Sequence, residues 1–143
     1  MKPALFIVSL LLFLACSKDE STSADLKANS SRWASNQLVN YTFTQRLNCF
    51  CIRGGEKMTV IVQNNQIVDV KDTNGVSLPA DLQKSYKTID ELFQLIQTTD
   101  PKSVAVIKVT YDDVLGYPKS IYIDKSEQMA DEEIGYDSEN ISH

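Results

Sequence analysis

The residues best suited to covalent chemistry are two cysteines, Cys49 and Cys51, which are separated only by Phe50. In a regular strand, alternate residues project from the same face with their Cα atoms roughly 6.5 to 7 Å apart, at the upper edge of the range that a disulfide spans. A bridge would therefore kink the strand just before Gly54 and Gly55, where glycine tolerates the distortion. The pattern is compatible with a structural disulfide, with two buried free thiols, and with a redox or metal-binding pair.

The redox and metal alternatives lack the sequence context that their chemistry normally has. A thiol–disulfide enzyme typically carries Cys-x-x-Cys at the start of a helix, and this sequence has no such motif. A zinc site would need two further ligands, and the single histidine is the terminal His143. Strained disulfides are easily reduced, so a redox role for Cys49 and Cys51 stays open. We predict no metal site and no cofactor.

A third cysteine, Cys16, follows a typical export signal. Lys2 supplies a positive start, residues 4–14 are almost entirely apolar, and Ala15 is the small residue before the cysteine. The apolar run is shorter than the ~20 residues that a membrane span needs. This arrangement resembles the lipobox of bacterial lipoproteins, although Phe13 stands where that pattern usually has leucine. An ordinary signal peptide, or an uncleaved anchor, is the alternative.

The lipobox resemblance implies that residues 1–15 are a lipoprotein signal peptide and that the thiol of Cys16 receives a diacylglyceryl group. One fatty chain such as palmitate binds a membrane marginally, whereas two or more hold a protein there stably. Residues 17–20 read Ser-Lys-Asp-Glu, which resembles an export tag of surface lipoproteins. The alternative is that they are the start of a solvated linker. Residues 16–31 would then be an acylated cysteine and a polar tether. We expect a lipid-anchored envelope protein in the outer membrane, with exposure at the cell surface left open.

The distribution of charge excludes one class of partner. The chain has 14 basic and 19 acidic residues, and the excess of acids lies entirely after residue 123, because residues 16–123 carry twelve of each sign. The body lacks the basic stripe that nucleic acids require, so we expect no nucleic-acid partner. In the acidic tail, Asp131 and Glu132 are weak binding candidates, for example for calcium, but the spaced ligands of a calcium loop are missing. A solvated acidic turn is the alternative.

Hydrophobic periodicity predicts the elements that position these residues. Thr88 and Glu91 form a capping box ahead of an apolar stripe, and Asp100-Pro101 ends that helix. The predicted order is a helix at 26–38, strands at 41–52, 58–62 and 67–70, a loop at 72–87, the helix after Thr88, and strands at 104–111, 119–124 and, at an edge, 134–141.

These elements predict an α+β fold in which a single antiparallel sheet of two meanders is covered on one face by two helices. Residues 32–143 are enough for one modest domain.

Several short motifs across this domain resemble those of a known family. They are Trp33, Tyr41-Thr42-Phe43, Cys49-Phe50-Cys51, Tyr111-Asp112, Gly116-Tyr117-Pro118 and Ala130-Asp131-Glu132. Together they resemble an uncharacterised domain-of-unknown-function family of small bacterial lipoproteins and secreted proteins. The resemblance covers nearly the whole mature domain and implies one compact α+β unit. It implies no activity and no ligand, so it assigns no catalytic residue.

Tyr117 has two interpretations: it packs on the sheet beside a glycine turn, or it is a weak binding candidate on an exposed loop.

We expect no enzyme, because the sequence has no Gly-x-Ser-x-Gly elbow and its paired carboxylates lie in the acidic tail. The expected function is a binding or accessory module that contacts the membrane through the lipid on Cys16 and a protein of the envelope or surface through its domain. The alternatives are a structural envelope protein and a thiol–disulfide redox protein using Cys49 and Cys51.

Overall fold

The computed structural model describes residues 18–126, 128–129 and 131–143. The predicted signal peptide at 1–15 and the predicted lipidation site, Cys16, lie outside the described residues. The elements are α1 (Lys18–Ser35), β1 (Tyr41–Asn48), β2 (Lys57–Gln63), β3 (Gln66–Lys71), α2 (Ala80–Gln83), α3 (Ile89–Thr98), β4 (Val106–Tyr111), β5 (Pro118–Asp124) and β6 (Ile134–Ser142).

The six strands form one open sheet in the order β3-β2-β1-β6-β5-β4, with every neighbouring pair antiparallel. The predicted α+β class and the single antiparallel sheet are therefore confirmed. The two predicted meanders are β1–β2–β3 and β4–β5–β6, joined by the pairing of β1 with β6. The expectation that the last strand lies at an edge is wrong, because β6 pairs on one side with β1 and on the other with β5.

The core lies on one face of this sheet. Side chains of β1 alternate strictly between buried and half-buried, and Phe43 is 2% exposed. Phe43 lies opposite Val60 of β2, and Leu47 lies opposite Tyr136 of β6, so the buried face continues from strand to strand. Full burial of a side chain of this size contributes roughly 1.5–3 kcal/mol, which makes this face the main source of stability.

The first helix and the first strand have different bounds from those predicted. The α1 helix begins at Lys18, so the segment predicted as a polar tether at 16–31 is helical in the part that the structure describes. The β1 strand ends at Asn48, before both cysteines, because the chain leaves the extended conformation there. The predicted loop at 72–87 also contains the short helix α2.

Helix α3 has the predicted beginning. The Thr88 hydroxyl accepts a hydrogen bond from the amide of Glu91 at 3.1 Å, and the Glu91 carboxylate accepts one from the amide of Thr88 at 2.7 Å. This confirms the capping box, which satisfies two amides that would otherwise lack partners. The predicted apolar stripe of α3 is buried.

Aromatic side chains connect the helices with the sheet. The indole of Trp33 on α1 lies edge-on to Tyr41, with ring centroids 5.4 Å apart, and donates a hydrogen bond to Asp90 of α3 at 2.9 Å. The Tyr41 hydroxyl accepts a hydrogen bond from the amide of Ile89 at 3.1 Å. Strand β1 and both long helices thus meet around one buried cluster. No helix in the described part of the chain is long and apolar enough to cross a membrane.

Candidate functional site

The loop between β1 and β2 holds the cysteine pair. Cys49 and Cys51 form a disulfide with their Cα atoms 5.3 Å apart, closer than alternate residues of a strand. The amide of Gly55 donates to the carbonyl of Leu47 at 2.7 Å and closes the turn. A side chain at Gly54 would collide with the carbonyl oxygen of Cys49, so the tight turn requires glycine there. Of the alternatives that the sequence left open, the structure supports the disulfide.

This loop is exposed to solvent. Cys51 is exposed and Cys49 is half-buried, so the disulfide can be reached from outside. The side chains of Phe50 and Ile52 are 84% and 75% exposed, although both are apolar. Two large apolar side chains exposed on one short loop make it a candidate interaction surface.

Asp72 fixes the neighbouring turn after β3. Its Oδ1 accepts hydrogen bonds from the amides of Asn74 and Val76 at 2.9 and 3.0 Å, and its Oδ2 lies 3.4 Å from the guanidinium of Arg53. The amide of Val76 and these other donors hold the pKa of Asp72 below its ordinary value. Since Arg53 belongs to the disulfide loop, Asp72 links the two loops.

A second candidate site lies on the sheet face opposite the core. Its centre is Asp137 of β6, whose Oδ2 accepts hydrogen bonds from Arg46 of β1 at 2.6 and 3.0 Å and from Asn48 at 3.0 Å. The hydroxyl of Ser120 on β5 donates to the other oxygen at 2.9 Å. Three adjacent central strands thus converge on one carboxylate.

The electrostatics of this cluster favour the charged form of Asp137. Burial alone would raise the pKa of its carboxyl, but hydrogen bonds from Asn48, Arg46 and Ser120 and the charge of Arg46 together hold it below its ordinary value. The side chains of Arg46 and Asp137 are 42% and 27% exposed, so the pair stays within reach of solvent.

Further charges lie beside this cluster on the same face. A shallow depression of about 280 Å³ is lined by Arg46, Asp137, Lys57, Lys119 and Glu139, among others. Lys57 pairs with Glu139 at 2.5 Å, whereas Lys119 makes no ion pair among the described residues. We call this surface, made of Thr44, Arg46, Asn48, Lys57, Lys119, Ser120, Asp137 and Glu139, the polar face.

The sequence-predicted binding residues lie elsewhere. Tyr117 is only 6% exposed and its ring is edge-on to that of Trp33, so it packs in the core and is not a contact residue on an exposed loop. Asp131 is exposed and Glu132 is half-buried in the connection before β6. Within the part of the chain that the structure describes, no group of three His, Cys, Asp or Glu side chains could hold a metal ion.

Sequence reasoning missed the cluster around Asp137. Arg46 lies in the strand predicted at 41–52 and Asp137 in the acidic tail, and the sequence marks neither of them as a candidate site residue. A polar residue at alternate positions of a strand is a weak signal by itself. The signal that was needed is the pairing of β1 with β6, which joins residues about 90 positions apart in the chain.

Comparison with known proteins gives one match. No curated protein and no solved structure is similar to this chain. A family model described as a family of unknown function, DUF6174, matches residues 25–143, which include every strand, all of α2 and α3, and most of α1. The match begins after the predicted signal peptide and the start of α1. The chain therefore belongs to this family of unknown function, DUF6174.

Proposed function

We propose that this protein is a lipid-anchored protein of the bacterial cell envelope, in the outer membrane, and that its domain is a binding or accessory module without enzymatic activity. The observation that carries the binding role is the polar face, where three central strands hold charged groups in fixed positions around Asp137. The lipid anchor is supported by the apolar segment at 4–14 followed by Ala15-Cys16.

We infer that the two long helices cover the core face and leave the polar face to a partner. The helix contacts of Trp33, Ile89 and Phe93 are made with Tyr41 of β1 and Tyr111 of β4. Tyr41 belongs to the buried set of β1, whereas Arg46 belongs to the half-buried set. An antiparallel sheet with one covered and one solvated face is common, and the solvated face can bind a partner.

The arrangement of charges favours binding over a purely structural role. Asp137 holds Arg46 in place through two hydrogen bonds, so little side-chain freedom remains to be lost when a partner docks. Lys119 is exposed and has no ion-pair partner among the described residues. A protein surface with acidic and aromatic side chains would complement this mixture of fixed and free cations.

A pair of charge reversals tests this proposal. Cells producing Lys57→Glu/Lys119→Glu should lose the stoichiometric partner that co-purifies with the wild-type protein from cross-linked envelopes. Lys84→Glu is the matched control, because Lys84 is exposed beside α2 and lies outside the polar face. The binding role is wrong if no stoichiometric partner is found, or if both variants retain it equally.

A second candidate function is thiol–disulfide exchange by Cys49 and Cys51, favoured by the position of the disulfide in an exposed loop. An external dithiol would attack one sulfur, form a mixed disulfide and leave as a disulfide, with both cysteines reduced to thiols. Titration against glutathione separates the two functions. A redox protein would have a reduction potential near that of its compartment, whereas a structural bridge would have one below about −300 mV and would stay oxidised in the glutathione buffer.

A further inference from the structure

Two exposed loops leave the sheet at the same end. Residues 49–56 connect β1 to β2, and residues 72–79 follow β3, whose last residue, Lys71, lies opposite Thr59 near the start of β2. The opposite end of the sheet holds the turn between β4 and β5, where Tyr111 pairs with Pro118. The two loops are therefore neighbours, well away from the β4–β5 turn.

These loops present apolar side chains to solvent. Phe50, Ile52 and Val76 are 84%, 75% and 61% exposed, and we call these three residues the apolar tip. Ile52 and Val76 line the same depression of about 360 Å³. Several large apolar side chains exposed at one end of a sheet, unlike single scattered ones, point to contact with a protein or a membrane.

The apolar tip is held in shape by its surroundings. The Cys49–Cys51 disulfide constrains the residues on both sides of Phe50. The Asp72 carboxylate accepts a hydrogen bond from the amide of Val76 at 3.0 Å and so fixes that residue. The ion pair of Arg53 with Asp72 at 3.4 Å connects the two loops. The exposed side chains therefore belong to ordered turns, and little order has to be gained when they enter an apolar environment.

The first helix directs the chain toward the same end of the sheet. Near the end of α1, Arg32 donates a hydrogen bond at 3.2 Å to the carbonyl of Asp113, in the β4–β5 turn. Earlier in α1, Ser23 and Leu26 line a groove together with Pro101 and Ile107, which lie just before and near the start of β4. Followed back toward Lys18, α1 runs from the β4–β5 turn toward the end that carries the apolar tip.

We propose that the apolar tip lies in a lipid surface, with Phe50 and Ile52 in the interfacial region of the membrane that holds the N-terminal anchor. This inference rests on the proposed lipidation of Cys16, two residues before the first described helical residue. Strands β1 and β4 are three strand spacings apart, about 14 Å, so one flat surface can contact both the tip and the first turns of α1.

The acidic excess in the connection between β5 and β6 favours one kind of lipid. Acidic residues 131–133 precede β6 at the same end of the sheet, where Gly135 pairs with Asn48. They would be repelled by an anionic membrane surface, so a zwitterionic surface is the better partner. Phe50 and Ile52 supply the apolar contact, and the anchor supplies a high local concentration of lipid.

Tryptophan substitution in the full-length mature protein tests this inference. Phe50→Trp is bound to phosphatidylcholine vesicles with brominated acyl chains, which quench tryptophan on contact. The wild-type chain has one tryptophan, Trp33, which is 4% exposed and supplies a constant buried background. We expect loss of most of the emission added at position 50. The matched control is Val114→Trp, 79% exposed in the β4–β5 turn, whose emission should stay unquenched.

Flotation of the same samples separates this inference from the anchor itself. Flotation without quenching at position 50, or with equal quenching at positions 50 and 114, overturns the membrane contact while the anchor stands. If position 50 is quenched in protein whose Cys16 carries no lipid, the membrane contact is supported and the proposed lipid anchor is wrong. If the protein neither floats nor is quenched at position 50, both the membrane contact and the lipid anchor are wrong. Ile52→Trp is the second variant if Phe50→Trp does not fold, and adding phosphatidylglycerol should weaken the quenching.

Discussion

Among single residues, Asp137 makes the densest set of polar contacts, with hydrogen bonds from three side chains on two neighbouring strands. Asp137→Asn keeps the shape but removes the charge, and we expect it to lower the free energy of unfolding by about 1 kcal/mol at pH 7, a value already reduced for solvent screening.

The pH dependence of this variant follows from the lowered pKa of Asp137. A carboxyl whose pKa is lower in the folded state stabilises the protein above its unfolded pKa of about 3.9. That stabilisation is lost as the pH falls through the folded pKa. Urea unfolding should therefore show a gap between wild type and Asp137→Asn at pH 7 that closes in acid. Equal stability at pH 7, or a gap that persists in acid, would contradict the described contacts.

Two tyrosines with buried hydroxyl groups make a matched pair for a second prediction. The Tyr41 hydroxyl accepts a hydrogen bond from the amide of Ile89, whereas the Tyr111 hydroxyl has no partner among the described residues. Burial raises the pKa of Tyr111 to about 12. Tyr41→Phe should cost about 1 kcal/mol because it leaves a buried amide unpaired, and Tyr111→Phe should be neutral or stabilising. Denaturant midpoints measure both, and a larger loss from Tyr111→Phe would reverse the assignment.

At the level of structural elements, the disulfide loop is shaped by a bridge that adds little stability. The bridge closes a ring across one intervening residue, and the loop-entropy relation gives about 1.5 kcal/mol for so short a loop, less than a typical bridge contributes. Cys49→Ser/Cys51→Ser should therefore lower the melting temperature only slightly. Amide exchange in residues 49–55 should rise sharply, because the loop loses its constraint. A large fall in melting temperature would identify the bridge as a main source of stability.

The elements that the sequence predicts well are those with local signals. Helix α3 is one of these, because the capping box and the apolar stripe all lie between Thr88 and Ile96. The central position of β6 could not be predicted, because its pairing with β1 depends on contacts between distant residues. The end of β1 was missed because period-two alternation continues through Cys49 and Cys51, although the bridge between them ends the extended chain.

The same distinction applies to the candidate site. The cysteine pair could be recognised from two positions in the sequence, and its environment could not, because exposure of Phe50 depends on the whole turn. The burial of Tyr117 depends on Trp33, which is 84 residues earlier in the chain. The polar face requires four strands in the correct order and register, which local patterns do not determine.

At the level of the whole molecule, three surfaces have distinct roles in the proposed function. In that proposal the helices cover the core face, the polar face presents charges around Asp137 to a partner, and the apolar tip lies at the end of the sheet where α1 begins. A lipid on Cys16 would place that end at the membrane and leave the polar face running away from it. In this proposal the orientation of the domain depends on the modification of Cys16, which lies outside the described structure.

The most direct test is the intact mass of the protein extracted from the bacterial envelope, with fragmentation of its N-terminal peptide. The proposed function predicts a chain that begins at Cys16 and carries a diacylglyceryl group there, and Cys16→Ser should release the domain from the membrane fraction. A mature chain that begins elsewhere, or one with an unmodified Cys16, would contradict the lipid anchor.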